Sequence, residues 1–288
     1  MNSASEAQYR EQPAKRLRNA AIRRTGSSAF MTLLGKECLE LLRSFKLVWV
    51  PIVFVVLGIM QPLLSYFMPV LIEKAGNMPE GTVIEMPPPV GSQVLADTLS
   101  QFGLMGLLIL ALAFMGIVSG ERNSGASALV LVKPVSHTSY LLSKWVSMMI
   151  LTWGSLLLGY AAAWYYTWLL IDFVDVGPFM LSYVLFGLWF TFVLTATLLF
   201  STFLRSAAGA AFSSLGVAVL LSMLAGLMPK YMGWSPGALS GLAYQAVTSE
   251  VLLPLNSVSW WSIATAVIGI AVLLMGSVVL LKRAPAHD

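Results

Sequence analysis

The chain has 288 residues, of which 58% are hydrophobic and only 10% are charged. A soluble domain carries about 25% charged residues, so the composition excludes an ordinary soluble protein and indicates that lipid is the main solvent. The net charge is only +4, and a single cysteine, Cys38, excludes an internal disulfide and any cysteine-rich metal site.

Residues 1–28 are polar and basic and show no apolar periodicity. This composition predicts a disordered tail that lies near anionic lipid. The first long apolar run begins too late in the chain for a cleaved signal peptide.

Residues 29–46 have a different pattern, in which apolar side chains recur every three or four positions from Phe30 to Phe45. This spacing predicts an amphipathic helix that lies in the membrane interface before the first span. Lys36 and Glu40 are spaced to form an i,i+4 pair. The alternative is that the segment merely extends the first span. The charged residues that we assign to this helix are Lys36, Glu37, Glu40 and Arg43.

Residues 47–283 contain six apolar stretches that reach the roughly 20 residues needed to cross a bilayer. They are Leu47–Ile72, Leu99–Ser119, Val146–Ile171, Phe179–Phe203, Ala207–Met228 and Val258–Leu281. Only Leu204–Ser206 separates the fourth stretch from the fifth. We interpret the pair as two helices with a tight turn at Arg205, since one bent helix of that length exceeds two bilayer widths. The predicted fold is an all-α polytopic membrane protein.

The basic residues indicate the orientation of these spans. Of the 17 lysines and arginines, all except Lys74 and Lys230 lie on one side of the predicted topology. The positive-inside rule therefore places both termini, including the tail of residues 284–288, in the cytoplasm. The connection of residues 120–144 between the second and third spans is cytoplasmic for the same reason.

The long outer connection before the sixth span contains one further helical pattern. Ala238–Leu253 is moderately apolar and has no proline. We expect a short helix that dips into the outer interface, beginning after Ser235–Gly237 and ending before Pro254.

The chain lacks the residue patterns of most membrane enzymes and ion-coupled transporters. No predicted span has a charged residue or histidine near its middle, where proton and ion pathways usually carry one. With only His137 and His287, an HExxH metal site is impossible, and the lone Gly35-Lys36 pair lacks the rest of a phosphate-binding loop. We therefore predict no catalytic residue, cofactor or metal in this chain, and any ATP-driven work requires a partner.

The connection of residues 120–144 has a short apolar centre, Ala126–Val132, which cannot span a membrane. It is too apolar for a solvated linker, so we expect a short helix at the membrane face or against a partner. Glu121 lies near its start, where the helix dipole favours a carboxylate, and Pro134 ends it. Lys144 begins the third span, where its side chain is expected to snorkel to the interface.

In this order and topology, several residues of the connection resemble the signature of the ABC type-2 permease family. That family commonly reads E-x-x-x-G-[ST], a few apolar residues, P-[VI]-S-R and then Y-[LI]-x-[GS]-K. The chain departs from this signature at Ala126, where the family often has Thr or Ser, and at His137, where it often has Arg. The similarity extends over Phe30 to Arg283, including the Lys36-Glu37 segment. The matching residues are Glu121, Gly125, Pro134-Val135-Ser136, Tyr140 and Lys144.

The resemblance implies the membrane subunit of an ABC exporter in a bacterial plasma membrane. Two such subunits pair, as a homodimer or a heterodimer, and each docks a cytoplasmic ATPase that binds ATP and Mg²⁺. Membrane lipids are the other partner, and nucleic acid is not one. The connection is implied to be the coupling element, through Glu121, Arg122, Gly125, Lys133, Pro134, His137, Tyr140 and Lys144.

Two other classes of function remain open at this point. One is an integral membrane enzyme, for which the connection offers only His137 and Glu121. The other is a scaffold of a membrane complex without transport. The substrate of a transporter is equally open, although uncharged and aromatic spans favour hydrophobic or amphipathic cargo.

Overall fold

The computed structural model describes residues 29–75, 88–125, 136–249 and 257–283, and every regular element within them is a helix. The predicted all-α fold is confirmed for this part of the chain. The helices are α1 (residues 29–43), α2 (Lys46–Ala75), α3 (Gly91–Gln101), a π-helical segment (Phe102–Gly106), α4 (Leu107–Phe114), α5 (Ser119–Asn123), α6 (His137–Leu170), α7 (Val176–Phe203), α8 (Ala207–Leu227), α9 (Pro229–Met232), α10 (Ala238–Thr248) and α11 (Ser257–Arg283).

Six helical stretches are long and apolar enough to cross a membrane, so the predicted number of spans is confirmed. The second of them is composite, because α3, the π-helical segment, α4 and α5 follow one another within it. The spans are Lys46–Ile72, Gly91–Asn123, His137–Leu170, Val176–Phe203, Ala207–Leu227 and Trp260–Arg283.

Two of the spans are longer than predicted at the ends that meet the connection of residues 120–144. The second runs to Asn123 instead of Ser119, and the third begins at His137 instead of Val146. Polar side chains occupy these extra turns, so a search for apolar runs ends too early. Both ends of the connection are therefore continuous with spanning helices.

Helix α7 occupies the centre of the bundle and packs against α6, α8, α10 and α11. Its span is also the most buried of the six. The predicted turn at Arg205 is confirmed, since α7 ends at Phe203 and α8 begins at Ala207. The Ser206 hydroxyl caps α8 by accepting a hydrogen bond of 3.2 Å from the Gly209 amide.

The most extensive helix pair is α2 with α6, and two glycines allow their close approach. A Cβ atom on Gly58 would lie 2.1 Å from the carbonyl oxygen of Gly159, and one on Gly159 would lie 2.6 Å from that of Phe54. Only glycine fits at both positions, as in other close crossings of membrane helices.

Hydrogen bonds between side chains join α6 to α7 through the interior. The indole groups of Trp145 and Trp153 donate to the hydroxyls of Thr195 and Thr191, at 2.9 and 3.0 Å. Such bonds between membrane helices contribute about 0.6 kcal/mol each on average. They fix the relative position of the two helices without any buried charge.

The predicted outer helix is present as α10 and is shorter than expected. It ends at Thr248 rather than Leu253, and the predicted stop at Pro254 lies outside the described residues. Leu239 and Ala243 are fully buried where α10 packs on α7 and α3. This helix is thus part of the bundle rather than a separate interfacial element.

Candidate functional site

Five side chains from three helices meet at one end of the bundle, which we call the charged end. They form one network of ion pairs and hydrogen bonds, named here the ionic cluster. Its members are Lys36 and Glu37 of α1, Glu121 of α5, and Tyr140 and Lys144 of α6. The cluster therefore links the helix before the first span to the facing ends of the second and third spans.

Lys144 is the centre of the cluster and is only 1% exposed. Its ammonium nitrogen lies 3.0 and 3.1 Å from the two carboxylate oxygens of Glu37 and 2.9 Å from Oε1 of Glu121. It also lies 5.1 Å from the centre of the Tyr140 ring. The expectation that Lys144 snorkels to the interface is wrong, because two carboxylates bind its charge inside the protein.

The Glu121 carboxylate accepts hydrogen bonds from three side chains. Lys36 and Lys144 both contact its Oε1 atom, and the Tyr140 hydroxyl donates to its Oε2 atom. The Tyr140 side chain is itself buried, so its hydroxyl has exchanged water for this carboxylate. A carboxylate with this many donors is held in one position, and α5 is held with it.

Lys36 closes the cluster toward solvent, where its side chain is 41% exposed. Its nitrogen lies 3.0 Å from Glu37 and 3.0 Å from Glu40, so the predicted pair of Lys36 with Glu40 is confirmed. Burial acts to lower the pKa of Lys36, but the hydrogen bond that Lys36 donates to Glu121 and the charges of Glu37 and Glu121 outweigh it and raise the pKa. Lys36 therefore remains protonated at neutral pH.

The periodicity of α1 explains why an acidic side chain lies inside the protein. Glu37 falls four residues after Leu33 and four before Leu41, so all three share one helix face. Leu41 is 8% exposed and Glu37 is 5% exposed, whereas Glu40 and Arg43 lie on the solvent side. Phe45, predicted to continue the apolar face, is 70% exposed in the turn after α1, with a φ of 56°.

Helix α5 is also attached to the turn between α7 and α8. The guanidinium group of Arg122 donates to the carbonyl oxygen of Thr202 at 2.8 Å. The side-chain amide of Asn123 donates to the carbonyl oxygen of Arg205 at 3.0 Å. Arg122 thus belongs to the same end of the bundle but contacts α7, not the ionic cluster.

The second span is interrupted just before α5, and a serine of α7 binds the interruption. Residues 115–118 form a turn between α4 and α5. The fully buried Ser201 hydroxyl accepts from the amides of Val118 and Ser119, at 3.2 and 3.1 Å, and donates to the Met115 carbonyl at 3.0 Å. Sequence reasoning missed Ser201, because one serine near the end of an apolar run carries no pattern.

The other predicted site residues are dispersed. His137 is the first residue of α6 and is half-buried, and Arg43 is exposed on α1. Gly125 follows α5 with a φ of 74°, a conformation that favours glycine. Lys133, Pro134 and the short helix expected over Ala126–Val132 lie outside the described residues.

The carboxylates of Glu37, Glu40 and Glu121 lie within 4.8 Å of one another, a spacing that suits a metal ion. The ammonium groups of Lys36 and Lys144 already occupy the space between them. A cation would have to displace a lysine to bind there, so the chemistry of the group is that of a structural ion-pair network.

The fold and the cluster together define a polytopic α-helical membrane protein in which buried charges join the helix before the first span to the second and third spans at one end. The chain matches the family described as "ABC-2 family transporter protein" over residues 31–284, and it belongs to that family. The resemblance seen in the sequence is thereby confirmed, and the chain is a transmembrane component of the transporter class.

A relative is also described as a transmembrane protein. The chain is 39% identical over 206 residues to the uncharacterized transmembrane protein YxlG of Bacillus subtilis (strain 168). The similarity covers 72% of this chain and 80% of that protein.

Proposed function

We propose that the chain is the membrane subunit of an ATP-driven exporter, in which a separate cytoplasmic ATPase docks on residues 120–144. Two permease subunits pair around the transport path, and both ATPases bind ATP and Mg²⁺. The charged end of the bundle faces the cytoplasm in this proposal, as the positive-inside rule predicts. Membership of the ABC-2 transporter family supports it at the level of the class.

The observation that carries the proposed mechanism is the ionic cluster. Glu121 lies three residues before Ser124, where the described part of the connection is exposed, and it is bound by Lys36 of α1 and Lys144 of α6. Removing one partner from a buried ion pair costs about 3–5 kcal/mol, so the contact with the buried Lys144 resists separation, and the contact with the half-exposed Lys36 adds less. A force on the connection therefore moves α1, α5 and α6 together.

The same arrangement explains how a displacement of residues 120–144 by the ATPase changes the side of the membrane to which the transport path opens. Through Arg122 and Asn123, α5 is also attached to the end of α7 and the turn that follows it. Closure of the ATPase pair on ATP would shift these helix ends as one body, and the spans would reorient around the transport path. Cargo shifts this equilibrium only through different affinities for the two states.

The test is reconstitution with a candidate ABC ATPase, which is sought first in the neighbouring reading frames by its Walker A loop. We expect the two chains to co-purify and the permease to stimulate ATP hydrolysis. Glu121→Gln removes the charge that both lysines contact, so stimulation is expected to fall toward the basal rate. Glu40→Gln is the matched control, because Glu40 is exposed and contacts Lys36 alone within the cluster.

Ser124→Arg provides a second variant that leaves the ionic cluster intact. Ser124 is exposed at the end of α5, so a large side chain there obstructs docking without opening the core. Monodisperse elution in detergent verifies that each variant is folded. If folded Glu121→Gln and Ser124→Arg both retain full association and stimulation, residues 120–144 are not the docking element.

A further inference from the structure

A large cavity lies toward the end of the bundle opposite to the ionic cluster. Its volume is about 1020 Å³, at the upper limit of the roughly 300–1,000 Å³ typical of ligand sites. Its walls come mainly from residues 100–107 in the middle of the second span, Trp189 of α7, the second half of α8, and α10. The cluster, in contrast, contacts the end of the second span, where Glu121 lies 14 residues after Leu107 of the cavity wall.

The lining of the cavity has no charged side chain among the described residues. Trp189, Leu107 and Met223 provide aromatic and aliphatic surface, and five glycines leave room between the helices. A charged ligand would lose its hydration without gaining a counter-charge, which makes its burial costly. An uncharged ligand with an apolar body loses little hydration free energy and gains van der Waals contacts with the aromatic and aliphatic walls.

Six lining side chains carry a hydroxyl or an amide: Ser100, Ser222, Ser240, Tyr244, Gln245 and Ser249. The hydroxyls of Tyr244 and Ser100 share a hydrogen bond, and Gln245 follows Tyr244 on α10. Gln245 is exposed, and within the described residues its side-chain amide makes no hydrogen bond, so the amide can donate to or accept from a ligand in the cavity. Apolar walls with a few placed polar groups are typical of sites for small organic molecules.

The wall formed by the second span contains the π-helical segment Phe102–Gly106. Gly103 and Leu104 of this segment line the cavity directly. Such π-helical turns are rare in helices and occur frequently at functional sites. The π-helical segment therefore forms part of the cavity wall, and it also exposes Leu104 and Met105 at the surface beside the cavity mouth.

We propose that this cavity binds an uncharged amphipathic organic molecule with an apolar body and at least one hydrogen-bonding group. The body packs against Trp189 and the aliphatic wall, and the polar group bonds to Gln245 or to the Tyr244–Ser100 pair. That this molecule is the exported cargo rests on the proposed function, whereas its binding to the permease does not.

The cavity offers a direct test, because two of its glycines have open space beside them. An added Cβ atom on Gly226 or Gly241 meets nothing within 4 Å, so a larger side chain can start at either position, and leucine there is expected to occupy part of the cavity. Gly216 is the matched control: it lies on α8 with Gly226, has the same open space and does not line the cavity.

The permease alone is placed in phosphatidylcholine nanodiscs and titrated with N-phenyl-1-naphthylamine, an uncharged aromatic amine with one N–H donor. We expect saturable binding that weakens about tenfold in Gly226→Leu and in Gly241→Leu and is unchanged in Gly216→Leu. The anionic 1-anilinonaphthalene-8-sulfonate is expected to bind at least about tenfold more weakly than the neutral probe.

Equal affinity for the neutral probe in wild type and both filling variants would overturn the site, and this is also the result if lipid or a second copy of the chain occupies the cavity. Equal affinity for the anionic and neutral probes would overturn the chemical class. Failure of the proposed function is distinguishable, since the ATPase would then not associate while probe binding remained sensitive to Gly226→Leu.

Discussion

Replacing Lys144 by methionine measures the energetic weight of the ionic cluster. Methionine retains an unbranched apolar side chain and removes the charge that binds both oxygens of Glu37 at 3.0 and 3.1 Å. Glu37 is 5% exposed, so it would be left as a buried charge that has lost Lys144 and keeps only Lys36 as an ion-pair partner. Breaking a buried pair in this way costs about 3–5 kcal/mol, and we expect the lower end, about 3 kcal/mol, because Lys36 remains 3.0 Å from Glu37.

The assay is reversible unfolding by sodium dodecyl sulfate in mixed micelles, followed by circular dichroism and fitted by linear extrapolation. Lys230→Met is the control, because Lys230 is exposed and its removal should change the unfolding free energy by less than about 0.5 kcal/mol. The double variant Glu37→Gln with Lys144→Met removes both charges and should be more stable than the sum of the single effects by about 1 kcal/mol or more. Additive effects, or a Lys144→Met variant as stable as the control, would refute the reasoning.

Three further predictions follow from the packing and the cluster. Gly58→Leu should prevent folding, because its Cβ atom would lie 2.1 Å from the Gly159 carbonyl oxygen. Gly154→Leu is the control, since an added Cβ atom there has nothing within 4 Å. The control should elute from a sizing column as wild type does, and Gly58→Leu should not. Ser201→Ala should lower the unfolding free energy by about 1–3 kcal/mol, since it leaves buried backbone groups of the interruption at residues 115–118 without their partner; an unchanged value would contradict this role. Because the pKa of Lys36 is raised in the folded chain, its contribution to stability is complete below the ordinary lysine pKa of about 10.4 and is lost only as the pH rises through the folded value. The difference in unfolding free energy between wild type and Lys36→Met should thus be constant from about pH 6 to about pH 9, and a decline across that range would be evidence against the ion pairs.

The architecture was largely predictable from the sequence, because length and hydropathy determine which segments can cross a bilayer. Six spans, the helix before the first span and the turn at Arg205 all follow from such local patterns. The ends of the spans do not, since the first turns of α6 carry His137 and Lys144 and fall outside any apolar run. Hydropathy detects the part of a helix that meets lipid, while the helix continues for as long as its backbone and neighbours allow.

The ionic cluster was only half predictable. Its residues were singled out by the resemblance to a permease signature, but the burial of Lys144 was not, because its partner Glu37 lies 107 residues away in the chain. The crossing of α2 and α6 at Gly58 and Gly159 was missed for the same reason. A glycine in a glycine-rich span has no local feature that distinguishes a helix crossing from a position facing lipid.

Photo-crosslinking from Ser124 tests the central claim, that an ATPase docks on residues 120–144, most directly. A benzoylphenylalanine at this exposed position is expected to form a covalent adduct with the co-expressed ATPase on irradiation. The same group at Thr248, exposed on α10 at the opposite end of the bundle, is expected to form none. An adduct from Thr248 but not from Ser124 would contradict the claim.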